Sequence, residues 1–217
     1  MDLTQFSPSS ALITVIVLAL APFVAVMLTS FTKIVVVLSL LRNALGVQQV
    51  PPNVVLNGLA LILTVYVMYP TGQAMMASIE GYDDIGSNTQ NLLLAANDAK
   101  EPLREFLIAN ASDRERAFFL DTVNRMVGSE GGQTITARDF VVIVPAFTIS
   151  ELTAAFQIGF LIFLPFIVID LVIANILMAM GMMMLSPTVI SLPFKLLLFV
   201  LIEGWAKLAH GLVLSYV

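Results

Sequence analysis

Charged residues are distributed very unevenly along this 217-residue chain, and their distribution limits the fold more than any motif does. Of the 25 Asp, Glu, Lys and Arg residues, 17 lie between Glu80 and Asp139. Hydrophobic residues make up 59% of the chain and charged residues 12%, against roughly 45–50% and 25% in an ordinary soluble domain. The sequence therefore predicts two apolar blocks around one polar insert, an organisation typical of a membrane protein.

The first apolar block contains two segments of membrane-spanning character. Residues 11–32 carry no charge and are long enough to cross the hydrocarbon core, which needs about 20 apolar residues. The apolar character continues through Leu41, so a single helix over residues 11–41 would be roughly 46 Å long. A polar connection follows, and residues 53–77 form the second segment, with Pro70 as an expected kink or end.

The second apolar block is too long for one straight span. It extends from Thr136 to Met184, and as one helix it would measure roughly 72 Å, more than twice the thickness of the hydrocarbon core. We therefore expect it to bend or fold back at Pro145, Gly159 or Pro165.

A turn at Ser186, Pro187 and Pro193 should precede a last apolar segment over residues 194–217. The predicted fold is an all-α membrane protein in which about four apolar segments form long, kinked helical hairpins. Its regions are an N-terminal hairpin region (residues 1–79), a soluble insert (residues 80–138) and a C-terminal hairpin region (residues 139–217).

The insert has the signals of a small helical unit. Pro102 is suited to the first position of a helix, and Ser112 with Glu115 has the spacing of a capping box ahead of a second helix. Gly128 is a plausible end of that second helix. Apolar residues recur at spacings of three and four in both, which predicts that the insert packs against another part of the protein.

Composition and motifs argue against several functions. The net charge is −5 and no basic patch is present, so binding to nucleic acid has no electrostatic basis. There is no cysteine, and the single histidine, His210, cannot form a multi-histidine metal site. The nucleophile, zinc-protease and phosphate-binding motifs are absent from the sequence. We therefore expect neither an enzyme nor a cofactor or metal site.

A few ionisable residues interrupt the apolar segments, where an ionisable side chain facing lipid costs about 2.5–3.5 kcal/mol. Lys33 and Lys195 lie near segment ends and could extend towards the interface, while Glu203 and Lys207 have the spacing of a helical ion pair. The remaining two, Glu151 and Asp170, have no basic residue within four positions. Their partners must therefore be distant in sequence or on another copy of the chain.

Methionine is concentrated in one place. Five methionines occur within seven residues beside Gly181: Met178, Met180, Met182, Met183 and Met184. Their unbranched, polarizable side chains could close a pore around changing contents, or they could fill an irregular apolar core. Composition alone does not separate these two interpretations.

Three motifs give the chain a family resemblance. They are PAFTISELTAAFQIGF (residues 145–160), FLPFIVIDLVIANILMAMGMMMLSP (residues 163–187) and LPFKLLLFVLIEGW (residues 192–205). Together they closely resemble the FliP/SctR family, the major export-gate subunit of flagellar and virulence type III secretion systems. The order of elements agrees over essentially the whole chain. The N-terminus lacks the signal peptide and extra stretch usual in the flagellar branch, and with the LSP after the methionines this favours the injectisome branch.

The resemblance implies a core subunit of the export gate, which forms the protein-conducting channel for unfolded secreted proteins across the bacterial inner membrane. Five copies would assemble with membrane subunits of the FliQ/SctS and FliR/SctT types and with other proteins of the export apparatus. The pore gasket of the family carries over to Met182, Met183 and Met184. Following the burial argument, we expect contacts between subunits at five charged residues: Glu151, Asp170, Lys195, Glu203 and Lys207.

The short connections predict the orientation in the membrane. Arg42 lies in one of them, and Lys195 follows another, so the positive-inside rule places both connections towards the cytoplasm. Both termini and the insert over residues 80–138 would then lie in the periplasm.

Two functions of other classes remain as alternatives. A secondary transporter or channel subunit would also contain broken helices and carboxylates at the level of the membrane, although transporters usually show an inverted repeat, and this sequence has none. An intramembrane hydrolase would need a nucleophile and a base, and His210 is not accompanied by a recognisable serine motif.

Overall fold

The computed structural model describes residues 15–16, 19–20, 22–23, 25–47, 49–80, 94–95, 97–127, 135–182 and 184–217. The longer elements in these ranges are all helices. In chain order they are α1 (Phe31–Leu45), α2 (Asn53–Glu80), α3 (Lys100–Asn110), α4 (Asp113–Val127), α5 (Phe140–Ala179), α6 (Pro187–Leu201) and α7 (Gly204–Leu214). The all-helical membrane class predicted from the sequence is confirmed.

The first apolar block does not form one continuous helix over residues 11–41. The described residues before position 28 are helical, but the chain then leaves helical geometry, and α1 begins at Phe31. The hydroxyl of Thr32 donates to the carbonyl oxygen of Val26 at 2.8 Å, a local bond of the kind that competes with helix continuation. At the other end Gly46 closes α1 with φ +75°, a left-handed conformation that glycine adopts without strain.

Helix α2 begins at Asn53 as predicted and runs through Pro70 to Glu80. Helix α5 is continuous, so the second apolar block does not break or fold back at Pro145, Gly159 or Pro165, while a bend at one of these residues stays a prediction. Its residues 140–179 form a helix about 60 Å long. A proline removes only one helical hydrogen bond, and apolar packing along both ends of α5 compensates for that loss.

By length and composition α2 and α5 are candidate membrane spans, and α6 with α7 can be counted as a third, bent by 60° between the two helices. The first predicted apolar segment, residues 11–32, lies partly outside the described residues. The predicted number of four apolar segments therefore stays a prediction. The last segment begins at Pro187 and not at residue 194, because Pro187 occupies the first turn of α6 and Pro193 continues inside it.

Glu203 produces the bend between α6 and α7. Its backbone has φ 54°, a left-handed conformation that interrupts helical hydrogen bonding. The next residue, Gly204, packs against the ring of Phe199, and a Cβ added there would lie 2.1 Å from a ring atom. Only glycine therefore fits this corner without a shift of the ring.

Helix α5 is the element on which the others pack. One apolar cluster joins α3 to the beginning of α5 through Leu107 and Phe147. A second cluster joins α1, α2, α5 and α7 around Ile34, and a third joins the ends of α1 and α6 to Phe166. Because Lys33 and Leu40 of α1 meet successively later positions on α5, α1 and α5 are parallel.

The described part of the insert forms two helices, as predicted. Pro102 lies in the first turn of α3 and not at its first residue, and Ser112 directly precedes α4. The backbone N–H of Ser112 donates to Ser150 Oγ of α5 at 2.9 Å, which attaches the insert to the long helix. The proposed end at Gly128 lies outside the described residues.

Ion pairs form a second contact between α3 of the insert and the start of α5. Arg138, just before α5, donates hydrogen bonds to the carboxylates of Glu105 and Glu101 on α3. These bonds, with Glu105 the larger contributor, raise the pKa of the Arg138 guanidinium above its ordinary value. The guanidinium is solvent-exposed, so we assign it a role in orientation and little net stability.

Candidate functional site

The methionine turn, residues 180–186, joins α5 to α6. Gly181 has φ +73°, which permits the reversal of the chain after α5 ends at Ala179. Met178, Met180 and Met182 are exposed, and Met184 is fully exposed. Met183 lies outside the described residues. The described methionines of this cluster therefore do not fill the core of this chain, and their side chains are available to contact another molecule.

The methionine turn lies beyond the level at which α1 ends. Lys195 Nζ donates to the carbonyl oxygen of Ala44 at 3.4 Å, and a Cβ on Gly46 would lie 3.8 Å from Nζ. The end of α1 is thus level with Lys195 and with its partner Asp170. From Asp170 the long helix continues to Ala179, about 14 Å further at 1.5 Å per residue. The hairpin of α5 and α6 therefore extends past the end of α1.

Lys33 and Glu151 form a buried ion pair between α1 and α5. Lys33 Nζ lies 3.1 Å from Glu151 Oε1, and the two side chains are only 5% and 3% exposed. The Tyr216 hydroxyl donates to Glu151 Oε2, and Lys33 Nζ lies 3.6 Å from the centroid of the Tyr216 ring. The pair thus has the additional hydrogen bond that a buried ion pair needs to offset its loss of hydration.

Asp170 and Lys195 form the second ion pair, between α5 and α6. Lys195 Nζ donates to Asp170 Oδ2 at 2.7 Å, and Ser191 Oγ donates to Oδ1. Lys195 is 6% exposed and Asp170 is 32% exposed at its side chain. A cavity of about 510 Å³, lined by residues of α5 and α6 and by the end of α1 with the connection that follows it, opens beside the carboxylate. This pair closes the base of the projecting hairpin.

Both acidic residues therefore have partners in the same chain. Of the two possibilities left by the sequence, a partner distant in sequence accounts for Glu151 and for Asp170. The predicted contacts of Glu151, Asp170 and Lys195 with other subunits are not needed to compensate their charges, and such contacts stay a prediction. Lys195 also lies inside α6 and not beside a turn, so it no longer supports the orientation argument. Arg42 lies in the last turn of α1 and not in the connection itself, but it adjoins the connection and alone supports the argument.

Glu203 and Lys207 differ from the buried pairs. Both are exposed, and their side chains form no ion pair with each other in the described part of the chain. The left-handed backbone of Glu203 places it before the first turn of α7, where the helical spacing assumed from the sequence does not apply. His210 is likewise exposed on α7. These side chains are free to contact a neighbouring molecule.

No sequence pattern indicated the other polar residues that contact these ion pairs. Tyr216 lies far from Glu151 in the sequence, and the pairing of Lys33 with Glu151 joins the two apolar blocks across the insert. Serine is common in turns, so Ser191 did not stand out in the sequence. Within the described ranges, no three His, Asp or Glu side chains are arranged to hold a metal ion.

Long apolar helices, a polar insert and ionisable groups paired inside the bundle define a helical membrane protein with two or three candidate spans. Residues 13–212 match the FliP family. The chain belongs to the FliP family, and the resemblance recognised in the three motifs is confirmed.

Relatives of both branches are similar over nearly the full chain. Yop proteins translocation protein R of Yersinia pestis is 51% identical over 92% of this chain and 92% of its own length. Hypersensitivity response secretion protein HrcR of Ralstonia nicotianae is 48% identical over 96% of this chain and 97% of its own. Flagellar biosynthetic protein FliP of Rhizobium meliloti is 45% identical over 93% of this chain and 80% of its own.

Proposed function

We propose that the chain is a core subunit of the export gate of a type III secretion system and contributes to the protein-conducting channel for unfolded substrates. Membership in the FliP family supports this proposal, as do relatives named for translocation and secretion in pathogens. We place the protein in the bacterial inner membrane with its insert in the periplasm. The proposed role is that of a conduit, and we assign no catalytic step to the chain.

The observation that carries the channel role is the projecting methionine turn. Exposed methionines at the end of a hairpin are costly in water, so they require a covering surface in the working protein. A ring of such turns from several copies would close a pore with apolar, deformable side chains that repel water and yield to a passing polypeptide. We assign this gasket to Met182, Met183 and Met184.

The outer surface of α5 supports assembly with other subunits. The helix is about 60 Å long, roughly twice the hydrocarbon thickness, so lipid cannot cover all of it. Large apolar side chains are nevertheless exposed along it, from Phe156 and Phe160 to Leu171 and Ile176. We propose that these faces are buried against further copies, five in total, and against FliQ/SctS-like and FliR/SctT-like subunits.

The mass of the intact complex tests this proposal. The chain of 23.5 kDa would be purified from its native membrane in mild detergent and measured by native mass spectrometry. We expect five copies together with two kinds of smaller membrane protein. A single copy or a dimer without such partners would contradict the export-gate role and favour a secondary transporter or another channel subunit.

A further inference from the structure

We propose that residues 215–217, the C-terminal strap, close over the Lys33/Glu151 pair and are themselves held by the insert. Three contacts of Tyr216 support this. Its hydroxyl donates to Glu151, its ring lies over Lys33 Nζ, and its ring stacks on Phe106 of α3 with centroids 6.0 Å apart and planes at 18°. One side chain thus connects the end of the chain, the buried ion pair and the insert.

The strap excludes water from the Lys33/Glu151 pair, whose stability depends on the absence of water and on complete hydrogen bonding. Lys33 and Glu151 are almost completely buried, although Tyr216 itself is only half-buried. Removing the hydroxyl takes one hydrogen bond from a buried carboxylate, and removing the ring also takes the aromatic face from the ammonium group. Both losses favour entry of water between α1 and α5.

Ser30 marks the place where the strap meets the beginning of α1. Its carbonyl oxygen lies 3.4 Å from the Tyr216 hydroxyl. Its side chain is completely buried, and its Oγ has no hydrogen-bond partner among the described residues. Ser30 directly precedes α1, at the interruption of the first apolar block. Opening of the strap would therefore hydrate the start of α1 first.

The insert stabilises the closed strap. Phe106 contacts the Tyr216 ring on one side and Phe147 of α5 on the other, with centroids 5.8 Å apart in the second contact. Displacement of α3 from α5 would remove the surface on which the strap rests. Contacts made with the insert from outside are thereby transmitted to the ion pair that joins α1 to α5.

Thiol accessibility at position 30 tests the strap in the full chain in its native membrane. The chain has no cysteine, so Ser30→Cys introduces a single thiol of similar size where the hydroxyl has no hydrogen-bond partner in the described part of the chain. The rate of its modification by a small thiol reagent would be measured alone and combined with Tyr216→Leu, Tyr216→Phe or Phe106→Leu. Phe194→Leu, which changes an exposed aromatic residue of α6, is the matched control.

A second probe distinguishes local opening from general loosening. Ala60→Cys places a thiol in the buried cluster of α1, α2, α5 and α7, which does not include Tyr216. We expect Tyr216→Leu to accelerate modification at position 30 by about tenfold or more, Tyr216→Phe and Phe106→Leu by less, and none of them to change the rate at position 60.

Unchanged rates at position 30 in all three variants would overturn the strap. Equal acceleration of modification at positions 30 and 60 would also overturn the strap, because the variants would then loosen the whole helical bundle. If Tyr216→Leu does not accumulate, the comparison is made with Tyr216→Phe and Phe106→Leu, and the same two outcomes decide it.

Discussion

Gly159 of α5 lies directly against Leu40 of α1. A Cβ added at Gly159 would be 2.2 Å from Leu40 Cδ1 and 3.2 Å from Leu40 Cβ, both closer than ordinary contacts allow. The two parallel helices therefore approach at this point because α5 has no side chain there. This contact lies between Glu151 and Asp170 along α5, and it sets the distance between α1 and α5, the helices that carry the Lys33/Glu151 pair.

We expect Gly159→Ala to destabilise the purified protein by about 1–3 kcal/mol, because the added methyl group overpacks the contact with Leu40. The thermal unfolding midpoint in detergent measures the effect. Gly58→Ala on α2 is the matched control, since nothing lies within 4 Å of its Cβ position. Leu40→Ala combined with Gly159→Ala should recover part of the loss. If Gly58→Ala and Gly159→Ala change the unfolding midpoint equally, the close approach of Gly159 to Leu40 does not limit the stability of the protein.

Removing one member of the Lys33/Glu151 pair should cost more stability than removing both. Lys33→Met leaves the Glu151 carboxylate buried without its cation and should cost about 3–5 kcal/mol, whereas Lys33→Met with Glu151→Leu should cost clearly less. Unfolding of the purified chain reports both changes. A double variant that is at least as unstable as the single one would show that the pair is not coupled in this way.

Lys207 tests the contacts between subunits separately from the buried pairs. Because Lys207 is exposed, Lys207→Glu should leave the thermal stability of the chain within about 0.5 kcal/mol. If Lys207 faces a neighbouring subunit, the reversal should nevertheless reduce the amount of intact complex on native gels. Reversal of Arg114→Glu on the exposed surface of α4 is a control that should leave assembly unchanged. Normal assembly of Lys207→Glu would remove this residue from the predicted interface.

If the methionine turn seals the pore, altering it should let ions and small solutes leak through the assembled complex. Replacing Met182, Met183 and Met184 by Ala should increase conductance or small-solute uptake per assembled complex while secretion continues at least in part, because the constriction loses its deformable apolar ring.

The control for the leak is replacement of three methionines elsewhere, namely Met75, Met76 and Met126. A role in core filling predicts a different result for the turn variant, with less complex but the same leakage for each complex. Normal leakage from a fully assembled turn variant would contradict the gasket.

The orientation is tested with single cysteines in the cysteine-free chain. Ala117→Cys lies on the exposed face of α4, and Gln49→Cys lies in the connection that follows Arg42. In intact cells with a permeable outer membrane, an impermeant thiol reagent should modify position 117 but reach position 49 only after lysis. The opposite pattern would place the insert in the cytoplasm.

The sequence by itself determined the class of this protein. The uneven charge distribution predicts two apolar blocks and a helical insert because the composition of each segment decides whether lipid or water can surround it. The start of α2 at Asn53 followed from the turn residues before it, and the three motifs identified the family. These features depend on a few neighbouring residues, and each can be read without knowledge of the others.

Tertiary structure decided which ionisable residues meet and where helices break. Proline and length suggested a break in α5, but packing of α1, α3 and α6 along that helix outweighs the hydrogen bonds that Pro145 and Pro165 remove. The pairing of Lys33 with Glu151, and the Tyr216 hydroxyl that completes it, joins segments far apart in the chain. Spacing rules describe neighbours on one helix, whereas these partners are selected by the packing of different helices, where a buried charge is stable only beside its counter-charge.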